Sequence, residues 1–299
     1  MRNTTMEKKL LRNMAILLLS VIFTACEKPF FDDRENAPAE PDANVTIRVS
    51  GYEMVPFDNY LVESRAAQSV TQLCSRLQFV IFDGETKVNS VSQKVGDEGF
   101  GTVSLNLQEG TYRLVIIAHN CDGNATVTQA DKITFPSNKV TDTFSYCENI
   151  TVSAQPATYD VQLKRAVAMF RLTITDALPD EVKKMKFYYI GGSSTFDATT
   201  GRGNVNSRQT VNIVPTEGQQ QFEVYTFPHD ETGKLKMTVT ALGSADNTIQ
   251  ERLFEDVPIQ RNVITQYKGQ FFGSSSTPAS HEFKMTADGE WAQTNEQNF

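Results

Sequence analysis

The residues that enzymes most often use for catalysis and metal binding are scarce in this sequence. Its 299 residues contain three histidines, four cysteines and one tryptophan. The histidines, His119, His229 and His281, lie far apart, and none has a second histidine at the spacing of a metal site. A Gly-x-Ser-x-Gly motif is lacking, and Gly201-Arg202-Gly203 has no third glycine for a phosphate-binding turn. The sequence therefore predicts no enzyme, no metal site and no cofactor.

An excess of basic charge is also lacking, and so is a long hydrophobic run. The chain has 28 Lys+Arg against 36 Asp+Glu. Residues 1–25 hold four of the bases and one of the acids, so the remainder carries 24 bases, 35 acids and a net charge of −11. Nucleic-acid binding needs a basic surface and is excluded as a function. Residues 14–23 form an apolar run about half as long as the roughly 20 residues of a transmembrane helix.

The N-terminus has the pattern of a cleavable secretory signal. Residues 1–12 are basic, and the apolar run follows directly. The run ends in Phe23-Thr24-Ala25-Cys26, which resembles the lipobox of bacterial lipoproteins, with Phe23 where leucine is usual. We therefore expect removal of the signal peptide 1–25, acylation of Cys26 with palmitate, and attachment to the membrane through this covalent lipid. The alternative is an ordinary secretory signal with a coincidental cysteine.

The segment that follows, residues 26–44, is rich in Glu, Asp, Pro and Ala. It has too few apolar residues to offset the entropy lost on ordering, so we interpret it as a flexible tether. Acids soon after a lipidated cysteine resemble the surface-export signal of Bacteroidetes lipoproteins. This resemblance implies a lipid-anchored protein exposed on the outer membrane.

Beyond the tether, the dominant pattern is alternation of apolar and polar residues at period two. It is seen in residues 45–49, 103–107, 112–116, 170–174 and 235–241. Such alternation is typical of strands with one buried face, while Leu77–Phe82 is apolar on both faces and indicates a central strand. Helical periodicity is limited to residues 180–186. Short strands separated by turns predict an all-β chain of antiparallel sandwiches.

The length of the strand-rich region predicts two domains. About 225 residues are too many for one ordinary sandwich. We predict an N-terminal sandwich over residues 45–164, a C-terminal sandwich over 165–273, and a tail, 274–299, with a candidate last strand at His281–Met285.

Three cysteines remain beside Cys26: Cys74, Cys121 and Cys147. An odd number in an exported protein suggests one disulfide and one free thiol. Cys121 with Cys147 is the pairing to test first, because both border strands of one predicted domain. Buried free thiols are the alternative.

Several stretches in one order carry a family resemblance. They are Leu77–Gly84, the hairpin Leu107–Val115, the joint Leu163–Ala168, and the closing strand Val257–Thr265 with Tyr267–Phe272. Together they resemble the FimB-like family of fimbrial anchor subunits of the Bacteroidales. The resemblance implies two transthyretin-like sandwiches after a lipoprotein signal, in a protein that terminates a fimbria and holds its base.

The implied partner is a fimbrial stalk subunit, joined by strand exchange. Incomplete sandwiches polymerise when one subunit gives a strand to the open sheet edge of another. The candidate strands are residues 45–49, after the tether, and residues 281–285, in the tail.

Two other functions stay open. A fimbrial tip or stalk subunit would lose its lipid and first strand to an Arg-specific protease, and Arg65, in a polar loop, is the candidate cleavage site. A glycan-binding surface lipoprotein would need exposed aromatic side chains, for which Trp291 is the candidate.

Overall fold

The structure is a computed structural model that describes residues 43–52, 70–273, 284–285 and 293–298. The signal peptide, Cys26, most of the tether, Arg65 and Trp291 lie outside the described residues.

The first half of the described chain is built of short strands with two small helical turns. The elements are β1 (Val45–Tyr52), α1 (Val70–Leu73), β2 (Arg76–Asp83), β3 (Thr86–Lys94), β4 (Thr102–Leu105), β5 (Gly110–His119), β6 (Thr126–Gln129), β7 (Lys132–Thr134), a 3-10 helix (Pro136–Asn138), β8 (Thr143–Val152) and β9 (Ala157–Arg165).

The second half continues in strands. They are β10 (Ala168–Ile174), β11 (Lys184–Gly192), β12 (Phe196–Asp197), β13 (Arg202–Gly203), β14 (Ser207–Ile213), β15 (Gln221–Thr226), β16 (Thr232–Leu242), β17 (Thr248–Gln260), β18 (Val263–Gly269), β19 (Lys284–Met285) and β20 (Gln293–Asn298).

One seven-stranded sheet encloses the core of the first half. Its order is β3-β2-β5-β8-β9-β1-β4. The part β9-β1-β4 is joined to the rest by two residue pairs between β8 and β9, Phe144↔Arg165 and Ser145↔Lys164. Both parts contribute buried side chains to one cluster, which includes Ile47, Leu114 and Leu163. The two parts therefore cover a shared core, and β1 is one of its walls.

The second half has a core between two sheets, β15-β10-β18-β20-β19 and β14-β11-β16-β17. A third cluster joins the halves, because Val80 and Phe82 of β2 pack with Met169 of β10 and Ile264 of β18. A small sheet, β13-β12-β7-β6, also takes strands from both halves.

The prediction of a mostly β chain is confirmed. The two apolar faces of Leu77–Phe82 also find their partners, since β2 pairs on both edges and its alternate residues enter different clusters. The purely antiparallel arrangement is wrong, because β1–β9, β10–β18 and β18–β20 are parallel pairs. Period-two alternation reports a buried face and carries no information on pairing direction.

The predicted helical turn at residues 180–186 is wrong. Strand β11 begins at Lys184, and Met185, Phe187 and Tyr189 are all buried in the core of the second half. This burial at every second residue requires an extended chain, and it outweighs a local charge order that favours a helix.

Candidate functional site: the two terminal strands

The first strand is inserted between two others. Strand β1 pairs in parallel with β9, from Val45↔Ala157 to Tyr52↔Leu163, with a register shift between Val49 and Gly51. Its other edge pairs with β4 in antiparallel register, from Val45↔Leu105 to Arg48↔Thr102. Both backbone edges of β1 are therefore occupied within its own chain.

Alternate side chains of β1 complete the core of the first half. Val45, Ile47 and Val49 are 1%, 0% and 6% exposed. Burial of a side chain of this size contributes roughly 1.5–3 kcal/mol relative to leaving it in water. The hydrophobic contribution of β1 is therefore comparable with the total stability of a typical domain, about 5–15 kcal/mol.

The residue at the end of the tether is held by hydrogen bonds. Asn44 Nδ2 donates to Leu107 O at 2.8 Å, and the Leu107 amide donates to Asn44 Oδ1 at 3.0 Å. The backbone of Asn44 donates to Leu105 O and accepts from the Ala157 amide. The described chain is thus fixed to both neighbours of β1 from this residue onward.

Loss of β1 would leave incomplete pairing on both sides. Strand β4 pairs with no other strand among the described residues, and β9 would keep only its two residue pairs with β8. The gap would be an open groove lined by Val103, Leu105 and Val161, side chains that are now buried in the same cluster as β1. An extended apolar segment from another chain has the shape and chemistry to fill such a groove.

The last strand also pairs within its own chain. Strand β20 lies parallel to β18, from Val263↔Gln293 to Lys268↔Asn298, and β19 adds two antiparallel pairs on its other edge. The sequence of β20 is Gln-Thr-Asn-Glu-Gln-Asn, which has no apolar residue. Gln297 is buried, at 4% exposure. By its sequence, β20 therefore adds no apolar side chain to a core.

Sequence reasoning placed the tail strand at residues 281–285. Only Lys284–Met285 of that range is a described strand, β19, and the longer strand β20 was missed. An all-polar segment gives no period-two signal, so no pattern in the sequence could have identified it.

The point from which the tail departs is firmly held. The Asp176 carboxylate accepts hydrogen bonds from the amides of Phe271, Phe272 and Gly273, at 2.7 to 3.0 Å. Arg252 donates to the carbonyl oxygens of Phe271 and Gly273 at 2.9 and 3.0 Å. Phe271 is fully buried. This arrangement fixes the chain up to Gly273, independently of the residues that follow.

The three described cysteines are free thiols. Cys121 Sγ donates to Lys139 O at 3.1 Å, and Cys147 lies on β8 opposite Val115 of β5. The proposed Cys121–Cys147 disulfide is therefore not formed in the structure. Burial raises the pKa of both thiols, and it raises the pKa of Cys74 to about 11. The thiolate is the nucleophilic form, so these cysteines are poorly suited to nucleophilic chemistry.

His119 and His229 lie among the described residues and make hydrogen bonds within the fold, whereas His281 lies outside them. His119 is buried, its Nδ1 accepts from the Cys121 amide at 3.1 Å, and burial, with Arg76 nearby, lowers its pKa to about 4. His229 Nδ1 lies 3.1 Å from Gly203 O, beside an open cleft of about 570 Å³ that Asp131 and Asp197 also line. Across the described ranges, no three His, Cys, Asp or Glu side chains lie close enough together to hold a metal ion.

A second open cleft, of about 540 Å³, lies on the outer sheet of the second half. Its lining mixes the cations Arg208, Lys234 and Lys236 with the acids Glu255 and Asp256. Lys236 Nζ pairs with Glu255 at 2.8 Å and Lys234 Nζ with Asp256 at 3.3 Å, both exposed to solvent. Such exposed pairs contribute little to stability. In the part of the chain that is described, no helix has the length and hydrophobicity needed to cross a membrane.

Comparison with solved structures finds distant similarity to adhesins and fimbrial proteins. The chain is similar to a candidate adhesin from Bacteroides ovatus, with 12% identity, a TM-score of 0.44, and coverage of 74% of this chain and 87% of that one. A fimbrial assembly protein from Parabacteroides distasonis has 13% identity and a TM-score of 0.41, with 79% and 92% covered. The fimbrial anchor protein Mfa2 from Porphyromonas gingivalis has 8% identity and a TM-score of 0.39, with 70% and 80% covered.

Sequence comparison adds two findings. No curated protein matches the chain significantly. The model of a family described as a family of unknown function, DUF6562, matches residues 40–298.

Proposed function

The chain belongs to DUF6562, a family of unknown function, and we propose that it is a surface-exposed outer-membrane lipoprotein that anchors the base of a fimbria. The observation that carries this proposal is the position of β1. Among the described residues, β1 is the first strand after the candidate lipid site, Cys26. It is paired on both edges and has three buried side chains. A lipid on Cys26 would thus be joined to the core of the protein by a short stretch of chain.

This connection suits an element that must bear load. The tether from Cys26 to Asn44 spans at most roughly 65 Å when fully extended. A pull on the lipid would act along β1, whose hydrogen bonds to β9 and β4 run across the strand direction and would share the load. Removal of β1 would break the link between lipid and fold.

In this proposal the fold consists of two transthyretin-like sandwiches, over residues 45–164 and 165–273. Each has its own buried cluster, and the third cluster joins them. The C-terminal tail, 274–299, then provides the strand given to the stalk subunit. Strand β20 is suited to this role, because it leaves β18 with little loss of buried apolar surface.

Lipidation is tested by metabolic labelling with a fatty-acid analogue. We expect label on the wild-type protein and none on Cys26→Ala, because the thiol is the acylation site. Cys74→Ala is the matched control and should keep its label. Undiminished label in Cys26→Ala would end the lipoprotein proposal.

Donation of the tail is tested by locking β20 in its own sheet. Lys268 and Asn298 are exposed register partners in β18 and β20, so their Cα atoms lie at the spacing of adjacent strands, which a disulfide can bridge. We expect cells that carry Lys268→Cys with Asn298→Cys to shed fimbriae into the medium, and reductant to restore attachment. The single substitutions are the controls. Fimbriae held equally well by the oxidised double variant would contradict donation by β20.

A second function is favoured by the same geometry. Cleavage at Arg65, between β1 and α1 in the sequence, would separate β1 from the chain and open the groove between β9 and β4. A tip or stalk subunit would work in this way. N-terminal analysis of the protein from the cell surface separates the two functions: a blocked Cys26 indicates an anchor, and a start at Ala66 indicates a tip or stalk subunit.

A further inference from the structure

The joint between the two halves contains a buried ion pair. Arg165, the last residue of β9, is 5% exposed. Its Nε and Nη2 atoms donate to the two carboxylate oxygens of Asp142 at 2.8 and 2.9 Å. A third donor, Nη1, reaches Asn262 Oδ1 at 3.0 Å, in the second half of the chain. The guanidinium therefore links the end of the first half directly to the turn between β17 and β18.

The same guanidinium is in contact with the end of β1. Its Cζ atom lies 4.6 Å from the centroid of the Phe144 ring. Phe144 in turn packs edge to face against Tyr52, the last residue of β1, with ring centroids 4.4 Å apart. Tyr52 thus covers the aromatic ring over which the buried cation lies. Its hydroxyl is 3.6 Å from Cys74 Sγ, which also fixes the ring on the side of α1.

On the other side, Asn262 controls the start of β18. It has a left-handed backbone, with φ of 62°, and its amide donates to Val167 O at 2.8 Å. The next residue, Val263, forms the first residue pair between β18 and β20, with Gln293. The side chain that Arg165 holds therefore belongs to the residue directly before the strand pair that begins the attachment of the tail.

We propose that Arg165 is a positioning residue that couples the seating of β1 to the retention of β20. With Tyr52 in place, Phe144 and Asp142 hold the guanidinium in the one orientation that also bonds Asn262. Without Tyr52, water reaches the Phe144 ring and the ion pair, the guanidinium gains other orientations, and the turn before β18 is released. A buried cation with several hydrogen bonds suits this role, because any other orientation of the guanidinium would break some of these bonds in a buried site.

This coupling is a property of the folded chain and does not depend on the proposed anchoring function. Its consequence is that the two chain ends, in different sheets, respond to each other. A chain whose first strand is removed should hold its tail less firmly than a chain that keeps it.

The test is hydrogen–deuterium exchange of the full-length protein, read at the amides of β20 relative to those of β10 in the same sheet. We expect Tyr52→Ala to accelerate exchange in β20 on the order of tenfold, the usual size of a coupling between sites. Val45→Ala, which weakens β1 at its opposite end, is the matched control and should leave the ratio unchanged.

A double-mutant cycle identifies the route. Asn262→Gly removes the acceptor for Arg165 and keeps the left-handed backbone without strain. In that background, Tyr52→Ala should have no further effect on β20. Arg165→Lys keeps the charge, loses the Asn262 bond and should accelerate exchange in β20 as Tyr52→Ala does, and it serves if Tyr52→Ala does not fold.

Two results would overturn the proposal. In the first, Tyr52→Ala or Arg165→Lys changes β20 no more than Val45→Ala does. In the second, the effect of Tyr52→Ala persists in full in the Asn262→Gly background, which would show that β1 and β20 are coupled by a route other than Arg165.

Discussion

The first and last strands of the chain have similar backbone pairing and opposite side-chain chemistry. Both lie parallel to a strand of their own sheet, β1 to β9 and β20 to β18, over comparable lengths. Strand β1 places three apolar side chains in the core, whereas β20 has only polar residues. Because a backbone hydrogen bond in water contributes only about 1 kcal/mol net, the side chains decide which strand is permanent. A chain that must keep one end and release the other can be built in this way.

The largest difference between the two strands should appear on truncating a buried side chain. Ile47→Ala in β1 should lower the free energy of unfolding by about 2–5 kcal/mol, because the fully buried side chain leaves a cavity. Gln297→Ala in β20 should cost less, since it removes a polar side chain and no apolar core group. Urea denaturation of the two variants measures both. Equal losses would mean that β20 is as firmly built in as β1.

Acid should weaken the half that holds β1. The pKa of His119 is lowered to about 4 in the folded protein, against about 6.5 when unfolded. Between these values the unfolded chain binds the extra proton, so stability is full above about pH 6.5 and is lost as the pH falls towards 4. The loss attributable to His119 should be on the order of 3 kcal/mol.

Thermal unfolding from pH 7 to pH 4 measures this loss. His119→Gln is the control, because it keeps an acceptor for the Cys121 amide and cannot titrate. The slope of stability against pH should be smaller in this variant. The same slope in both proteins would mean that other groups dominate acid unfolding.

The contrast between the ends also explains what could be read from the sequence. Residues 45–49 alternate because they line a core, so β1 was predicted, and the same holds for β5, β10 and β16. Strand β2 was predicted from a run that is apolar on both faces. Strand β20 has only polar residues and left no pattern. The parallel pairing of β1 depends on contacts with β9, more than 100 residues away in the chain, which no local pattern encodes.

The sequence predicts only those parts of the candidate site that belong to a period-two pattern. Residues 45–49 were named as a terminal strand for exchange, and the structure gives them two partners. The Arg165–Asp142 pair and the Asp176 carboxylate were missed. A single charged residue in a turn or at a strand end gives no sign in the sequence of which residue it will bond. The partners here lie 23 and about 95 residues away.

Removal of the last strand should have a small effect. A chain that ends at Ala292 loses β20 and its ladder to β18, and it also avoids the entropy of ordering those residues. We expect a loss of no more than about 2 kcal/mol in the free energy of unfolding, with a single cooperative transition. Calorimetry measures both quantities. A loss as large as that of Ile47→Ala would remove the distinction between the two ends.

The smallest effect should come from the ion pair on the outer face of β1. Arg48 and Asp160 approach to 3.5 Å, but both side chains are more than half exposed. Arg48→Ala should therefore change the free energy of unfolding by less than about 0.5 kcal/mol. A larger loss in chemical denaturation would mean that charge, as well as buried apolar surface, holds β1.

Native-state hydrogen exchange of the unmodified chain tests most directly whether β1 is fixed and β20 is releasable, because it reads the amides of both strands in one experiment. We predict that the amides of β1 exchange only through global unfolding, with protection equal to that of β2 and β5 in the same core. The amides of β20 should exchange through a local opening, at least about 100-fold faster, with a rate insensitive to low concentrations of denaturant. Equal protection of the two strands, with the same denaturant dependence, would contradict the account of a fixed first strand and a releasable last one.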